Sequence, residues 1–247
     1  MNAISAIVTL HAEFVMAGPT LKSAEGAIAT AEADGLSIER IIGLDRPTAE
    51  TAAFAHAFAG ERWRVVEVDC GDQGAARNAY ADASGGDWIA FLDGDDLWSE
   101  NWLSEAARIA RETGDQAIVH PELNCFFGKT QAVHVNVGQD DPLFDPRFFH
   151  YRSLYDALSF APRAAHLEVP FAPRDLDRGY AFEDMQWSIE TMLAGYRHVV
   201  APDTIIFKRR REGSQNALAG ARGVAIRDLP MLKIEQLEAL AAFGWRP

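Results

Sequence analysis

Through the first half of the chain, continuous apolar runs alternate with stretches of helical periodicity. Residues 3–10, 38–44, 63–68 and 87–92 read as strands. Between them, residues 19–33, 49–59 and 74–84 read as helices. The first has Pro19 near its first turn and Gly35 after its end, and the last is closed by Gly85-Gly86. Residues 101–112 are amphipathic through Leu103, Ala106, Ala107, Ile109 and Ala110. This alternation predicts an α/β fold, a mostly parallel doubly wound sheet flanked by helices. Ligands of such sheets bind beyond the carboxyl ends of the strands. That rule gathers the loops at 11–13, 45–48, 69–77 and 93–96 on one rim.

The second half is less periodic. Residues 118–137 hold strand-like pieces around His120, Asn124 and Gly128, and residues 138–181 are rich in Pro, Asp, Arg and aromatics. An irregular connection of that length points to a functional surface. Within it, 153–161 is expected to be helical. Glu183-Asp184 opens a helix to Ala194, ended by Gly195. Pro202 is expected to break 199–207, leaving one short strand after it. The basic run Lys208-Arg209-Arg210-Arg211 follows. Residues 224–243 read as an amphipathic terminal helix interrupted near Pro230.

The densest chemistry lies in Trp88-Ile89-Ala90-Phe91-Leu92-Asp93-Gly94-Asp95-Asp96, an apolar strand ending in three carboxylates. Packing does not ask for clustered acids at the mouth of a buried strand, and like charges so close repel. Oxygen-rich clusters suit a hard divalent ion such as Mg²⁺ or Mn²⁺. The plainer alternative is an acidic turn capping the next helix through Asp96 or Ser99.

Composition narrows the partners. A net charge of −13 argues against a nucleic-acid binder, and 48% hydrophobic residues suffice for a core. Cys70 and Cys125 are too few for a disulfide framework and are expected as buried thiols. No run reaches transmembrane length, and no basic region precedes the first apolar stretch. A cytoplasmic place is expected, which leaves open a peripheral position at the inner face of a membrane.

The order of motifs from Ile4 to about Ser214 resembles glycosyltransferase family 2, inverting enzymes of the GT-A fold. The strand Ile7-Val8-Thr9-Leu10-His11-Ala12-Glu13 stands at the family's first nucleotide-contacting strand, with Thr9, His11 and Ala12 in place of the usual proline, tyrosine and asparagine. Leu44-Asp45-Arg46-Pro47-Thr48 keeps one aspartate of a paired-aspartate loop. Gly74-Ala75-Ala76-Arg77-Asn78 resembles the small-small-Arg-Asn helix start, and Asp93-Gly94-Asp95 the DxD motif. Phe182-Glu183-Asp184 resembles the acidic pair that supplies the catalytic base. Arg209-Arg210-Arg211-Glu212-Gly213-Ser214 resembles the late basic motif, with Arg211 where histidine is common.

This resemblance implies one GT-A domain over 1–247. Its nucleotide-sugar half would span 1–117, its acceptor and catalytic half 118–212, and a tail helix 213–247. It implies transfer from a nucleoside-diphosphate sugar, a UDP-sugar first, to a hydroxyl of a saccharide or glycan, with Mn²⁺ or Mg²⁺. Asp95 is the expected metal ligand, with Asp93 on the metal or the ribose. Asp184 is the expected base, with Glu183 behind it. Thr9, His11, Glu13, Asp45 and Arg77 are expected around the nucleotide, and Arg209 and Arg211 at the diphosphate. His120, Glu122 and Asn124 are candidates to face the acceptor. Trp98, Trp102 and Trp187 are expected in the core. Three other readings stand beside it. Leu92-Asp93-Gly94-Asp95 also resembles the aspartate motif of haloacid-dehalogenase-like phosphatases, which carry it on their first strand. A nucleotidyltransferase shares the sheet but wants a basic glycine-rich loop near its N-terminus. A non-catalytic nucleotide-sugar-binding module is the third.

Overall fold

The run ISAIVTL is buried almost throughout and forms β1 (Ile4–Leu10) in the computed structural model, which describes residues 3–211, 225–227, 232–236 and 238. After β1 come α1 (Phe14–Ala33), β2 (Ile38–Asp45), α2 (Ala49–Ala59), β3 (Arg64–Val68), α3 (Gln73–Ala83) and β4 (Trp88–Asp93). β1 lies between β2 and β4, and β3 joins β2, all in parallel. Strands covered on both faces need apolar residues at every position, so these read as unbroken runs. Two of the helices are capped as their sequences suggest: the Thr48 and Asp72 side chains accept from Thr51 N and Ala75 N. The parallel register sets Thr9 opposite Asp93, near the carboxyl ends of two central strands.

The chain continues through β5 (Leu97–Trp98), α4 (Trp102–Thr113), β6 (Ala117–Gly128), β7 (Ala132–Val135), β8 (Phe160–Pro162), α5 (Arg163–Glu168), α6 (Glu183–Leu193) and β9 (Arg197–Arg210). Among the described residues one sheet joins both halves in the order β3-β2-β1-β4-β8-β6-β9-β5, with β7 paired to β6. β8 runs antiparallel to β4, while β9 runs parallel to β6. One large core lies under the parallel strands, and two smaller ones support α6. Trp98, Trp102 and Trp187 are core residues. Both cysteines are free and half-buried rather than fully buried.

Four expectations need correction. The first helix begins at Phe14, so Pro19 lies inside it and not in its first turn. Residues 153–161 are not helical. Asp156 Oδ1 instead accepts from Leu158 N, a local bond that competes with helix, and Phe160 enters the sheet. Pro202 does not end a strand: β9 runs through it as a bulge, where the register with β6 slips and Asp203 takes φ 59°. Glu122 Oε2 takes the Asp203 N–H at 2.7 Å and Thr204 Oγ1 takes the Glu122 N–H at 3.1 Å, so the bulge leaves neither donor orphaned. The acidic turn does not cap α4, whose cap position is Asn101. Most of the expected terminal helix at 224–243, and the motif positions 212–214, lie outside the described residues. No helix among the described residues is long and apolar enough to cross a membrane.

Candidate active site

Asp93, the last residue of β4, is the hub of the rim at the carboxyl ends of the parallel strands. Its Oδ1 accepts from Thr9 Oγ1 at 3.2 Å, Gln73 Nε2 at 3.1 Å and Arg77 NH2 at 2.7 Å. Arg77 is 3% exposed and reaches Glu183 at 4.0 Å, so one buried guanidinium ties β4 to the start of α6. Burial opposes its charge, but Asp93 and Glu183 outweigh that and raise its pKa. Gly94 is required for space rather than for an unusual turn. A Cβ there would lie 2.8 Å from the Thr9 carbonyl oxygen, and its φ is not left-handed.

The rest of the acidic run is also held. Asp95 Oδ2 accepts from Arg211 Nε at 2.8 Å, and Arg211 NH2 donates to Glu13 Oε1 at 2.9 Å. Glu13 Oε2 accepts from the backbone N–H of His11 and Ala12 at 2.6 and 2.8 Å. Burial raises the Asp95 pKa against the opposing Arg211. Asp96 is 4% exposed; its Oδ1 accepts from Arg209 N at 2.7 Å, and Lys208 Nζ lies 3.7 Å from its Oδ2. Asp45 Oδ1 accepts from Cys70 N at 2.8 Å and Gly71 N at 3.0 Å, which fixes the loop after β3. His11 Nδ1 donates to the Asp45 carbonyl at 2.7 Å.

Two cavities open along this rim. The smaller, about 480 Å³, is lined by Thr9, His11, Glu13, Asp45, Asp95, Arg209 and Arg211 among others. The larger, about 850 Å³, is lined by Asn124, Asp156, Glu183 and Asp184, with Phe126 and Arg174. Asp93, Gln73, Arg77, Lys208 and Arg210 are spread over this junction; of these, Arg77 lines the larger cavity and the other four line both.

Asp184 sits in the first turn of α6, but it does not cap the helix. The cap position is Phe182, in the left-handed region at φ 68°. The Asp184 carboxylate accepts from Met185 N at 2.8 Å. Burial, with Glu183 and Asp156 adding repulsion, pushes its pKa up to about 7. The helix beneath it is pinned from behind. Trp187 Nε1 donates to the Val169 carbonyl at 2.8 Å, and Thr191 Oγ1 donates to the Trp187 carbonyl at 2.7 Å. His198 Nε2 therefore donates to Thr191 Oγ1 at 2.9 Å, and its Nδ1 accepts from His120 Nε2 at 2.8 Å.

The structure thus brings the residues expected at the base, the nucleotide and the metal to one of two adjoining cavities. Of the acceptor-side candidates, Asn124 lines the larger cavity, whereas His120 is stacked under Tyr155 and Glu122 serves the β9 bulge. Sequence reasoning missed Gln73, Asp156 and Lys208. The signal for Lys208 was the period of two along a strand, which puts Lys208 and Arg210 on one face and Arg209 and Arg211 on the other. Asp156 carried no such signal, because its segment has no periodicity.

Among the described residues, no three His, Cys, Asp or Glu side chains group to hold a metal ion by themselves. Asp93 and Asp95 do present hard oxygen donors at the smaller cavity. Hard oxygens of that kind fit a divalent ion such as Mg²⁺ or Mn²⁺.

Comparison with known proteins agrees with this architecture. The chain matches 85% of its length to 59% of S. aureus TarS 1-349 in complex with UDP-GlcNAc, at a TM-score of 0.65 and 17% identity. The UDP complex of the same TarS fragment matches 84% of the chain and 60% of its own, at a TM-score of 0.64 and 16% identity. These likenesses establish the GT-A fold. A succinoglycan biosynthesis protein, ExoM, of Rhizobium meliloti (strain 1021) is 42% identical over 55 residues, 22% of this chain and 18% of that protein. The chain therefore spans less than two thirds of the length of these relatives. The model of glycosyl transferase family 2 matches residues 5–163, well over half of the sequence, and the chain belongs to that family.

Proposed function

We propose that this chain transfers a sugar from a nucleoside-diphosphate donor to a hydroxyl of a saccharide or glycan acceptor, with inversion at the anomeric carbon. The observation that carries the reading is the Asp184 carboxylate, with its pKa near 7, on the wall of a cavity that also contains Asp93. The acceptor O–H attacks the anomeric carbon as the bond to the donor's phosphate oxygen breaks. Its proton passes to the Asp184 carboxylate, and the nucleoside diphosphate leaves. A base whose pKa lies near working pH is suited to that transfer.

The smaller cavity suits the nucleotide. Thr9, Asp45 and His11 line its rim, and Asp45 can accept from a ring N–H of uracil, which favours a UDP-sugar. The match to a TarS fragment crystallised with UDP-GlcNAc supports a nucleotide-sugar donor. Asp95, with Asp93, would hold Mn²⁺ or Mg²⁺ there, and the ion would neutralise charge developing on the departing diphosphate. Arg209 and Arg211 belong to the same cavity and add fixed positive charge. The phosphatase reading is disfavoured, because its aspartate would be the nucleophile and Asp93 is tied to Thr9, Gln73 and Arg77 on the fourth strand.

The test is a melting-temperature screen with UDP, GDP, ADP and dTDP, each with Mn²⁺ and with chelator, since ligand binding to the native state raises apparent stability. UDP with Mn²⁺ is expected to give the largest rise. A rise with GDP or ADP and none with UDP would overturn the base assignment. No response to any nucleoside diphosphate would overturn the donor class.

A further inference from the structure

We infer that Lys208 is the cation that meets the donor's diphosphate at the scissile bond, an assignment that rests on the proposed glycosyl transfer. A nucleotide in the smaller cavity and an acceptor in the larger one require the breaking bond to cross their junction. Gln73, Asp93, Lys208 and Arg210 line both cavities. The two cations among them differ. The Arg210 guanidinium lies over the Phe126 ring at 4.2 Å. The Lys208 ammonium is instead built into the interior, with the residue 7% exposed.

Its position is fixed from both sides. Nζ donates to Asp156 Oδ2 at 2.9 Å and lies 3.7 Å from Asp96 Oδ2. Each carboxylate is itself held: Asp156 by Leu158 N and Asn124 Nδ2, and Asp96 by Arg209 N. An ammonium has three N–H donors. Among the described residues one makes a hydrogen bond, and Asp96 lies beyond hydrogen-bond range, so donor capacity remains for a ligand. A buried ammonium is costly unless paired, and these two carboxylates are its partners. Asp156 and Asp96 outweigh the effect of burial and hold Lys208 charged.

At the alternate positions, Arg209 of β9 lies over Phe127, and Arg211, just past the strand's end, is committed to Asp95 and Glu13. The face that reaches the junction is therefore that of Lys208. As the bond to the sugar breaks, the phosphate oxygen bonded to it gains negative charge. Lys208 then binds that oxygen more strongly than in the bound donor, which is what accelerates a reaction.

Calorimetry with UDP and UMP, each with Mg²⁺, tests this on the wild type, Lys208→Gln and Lys208→Arg, with GDP and GMP as a second pair. Lys208→Gln is expected to lose about tenfold or more in diphosphate affinity, the scale of a charge-assisted hydrogen bond, and to bind the monophosphate as before. Its kcat is expected to fall further than its KM rises, and Lys208→Arg to recover part of both. Equal loss for UDP and UMP, or an unchanged ratio, overturns the assignment. Lys208→Gln leaves Asp96 and Asp156 without their cation, so the double variant Lys208→Gln, Asp156→Asn is made alongside. The ¹⁵N ammonium resonance of Lys208 in the wild-type protein gives a reading without mutation. It is expected to shift with Mg²⁺-UDP and not with UMP, and no shift with UDP overturns the proposal. If wild-type protein binds neither diphosphate, it is the glycosyl-transfer reading that fails.

Discussion

Asp93 and Asp184 line one cavity, yet Asp93 is surrounded by donors and Asp184 by other acids. Oδ1 of Asp93 takes hydrogen bonds from Thr9, Gln73 and a buried Arg77. Asp184 accepts from Met185 N, while Glu183 and Asp156 add to the effect of burial. Donors hold the first in place, whereas burial and like charge favour the protonated form of the second. A carboxylate that positions a ligand wants the first setting. One that must accept a proton near neutral pH wants the second. The difference between the two aspartates follows from surroundings and not from residue type.

The largest effect that could break the comparison is on Asp184. Asp184→Asn is expected to leave nucleoside-diphosphate binding intact and to lower transfer by a factor on the order of 10² to 10⁴, the usual share of general base catalysis. Rate against pH in the wild type is expected to climb to a plateau through about pH 7, where Asp184 loses its proton. Stability runs the other way. The native carboxyl keeps its proton up to about 7 and the unfolded one releases it near 3.8, so the group's contribution is full in acid and is lost as pH rises between these values. Asp184→Asn should therefore raise the melting temperature at about pH 8 and change it little at about pH 4. Near-normal transfer, or a product retaining the donor's anomeric configuration, breaks the assignment.

Arg77 carries the next largest effect, because it compensates both Asp93 and Glu183 from a buried position. Removing one partner of a buried ion pair costs about 3–5 kcal/mol. Arg77→Met is expected to lose stability on that scale in denaturant titration. A loss under about 1 kcal/mol would mean that solvent, and not Arg77, compensates Asp93.

Asp95 sharpens the same contrast within the acidic run. Asp95→Asn is expected to cost about tenfold or more in nucleoside-diphosphate affinity measured with Mn²⁺, the scale of a bond to a charged group. With chelator the affinity is expected to match that of wild type. Equal wild-type affinity with Mn²⁺ and with chelator would remove the metal from the reading.

How far these differences could be read from sequence depends on the half of the molecule. β1, β2 and β4 are covered on both faces, so their apolar runs predict strands, and the parallel rule brings Thr9, Asp45 and Asp93 to one rim. The DxD, Ala-Arg-Asn and Glu-Asp motifs located most of the candidate site. What stayed hidden depends on contacts distant in sequence. Lys208 becomes a site residue through Asp156, 52 positions away. The strand through Pro202 exists because Glu122 and Thr204 satisfy a bulge that local propensity forbids. The start of α1 at Phe14 eluded the proline rule, because Pro19 lies within the helix. The Glu-Asp motif drew attention to Asp184, but its setting comes from burial, with Glu183 and with Asp156 from a segment without periodicity.

Thr9 gives the smallest test and the most selective one. Its hydroxyl donates to Asp93 Oδ1 at 3.2 Å, the longest of the three bonds to that oxygen. Thr9→Val keeps the β-branched shape that a central strand favours and removes that one donor. Arg77 and Gln73 remain on the same oxygen, so Asp93 stays compensated. The stability loss is expected at about 0.5–1.5 kcal/mol, the net worth of a single hydrogen bond. The pH dependence of transfer is expected not to move, because it belongs to Asp184 on the other side of the junction. A shift in that profile with Thr9→Val would show that the Asp93 hydrogen-bond network reaches Asp184, and the contrast between them would then fail.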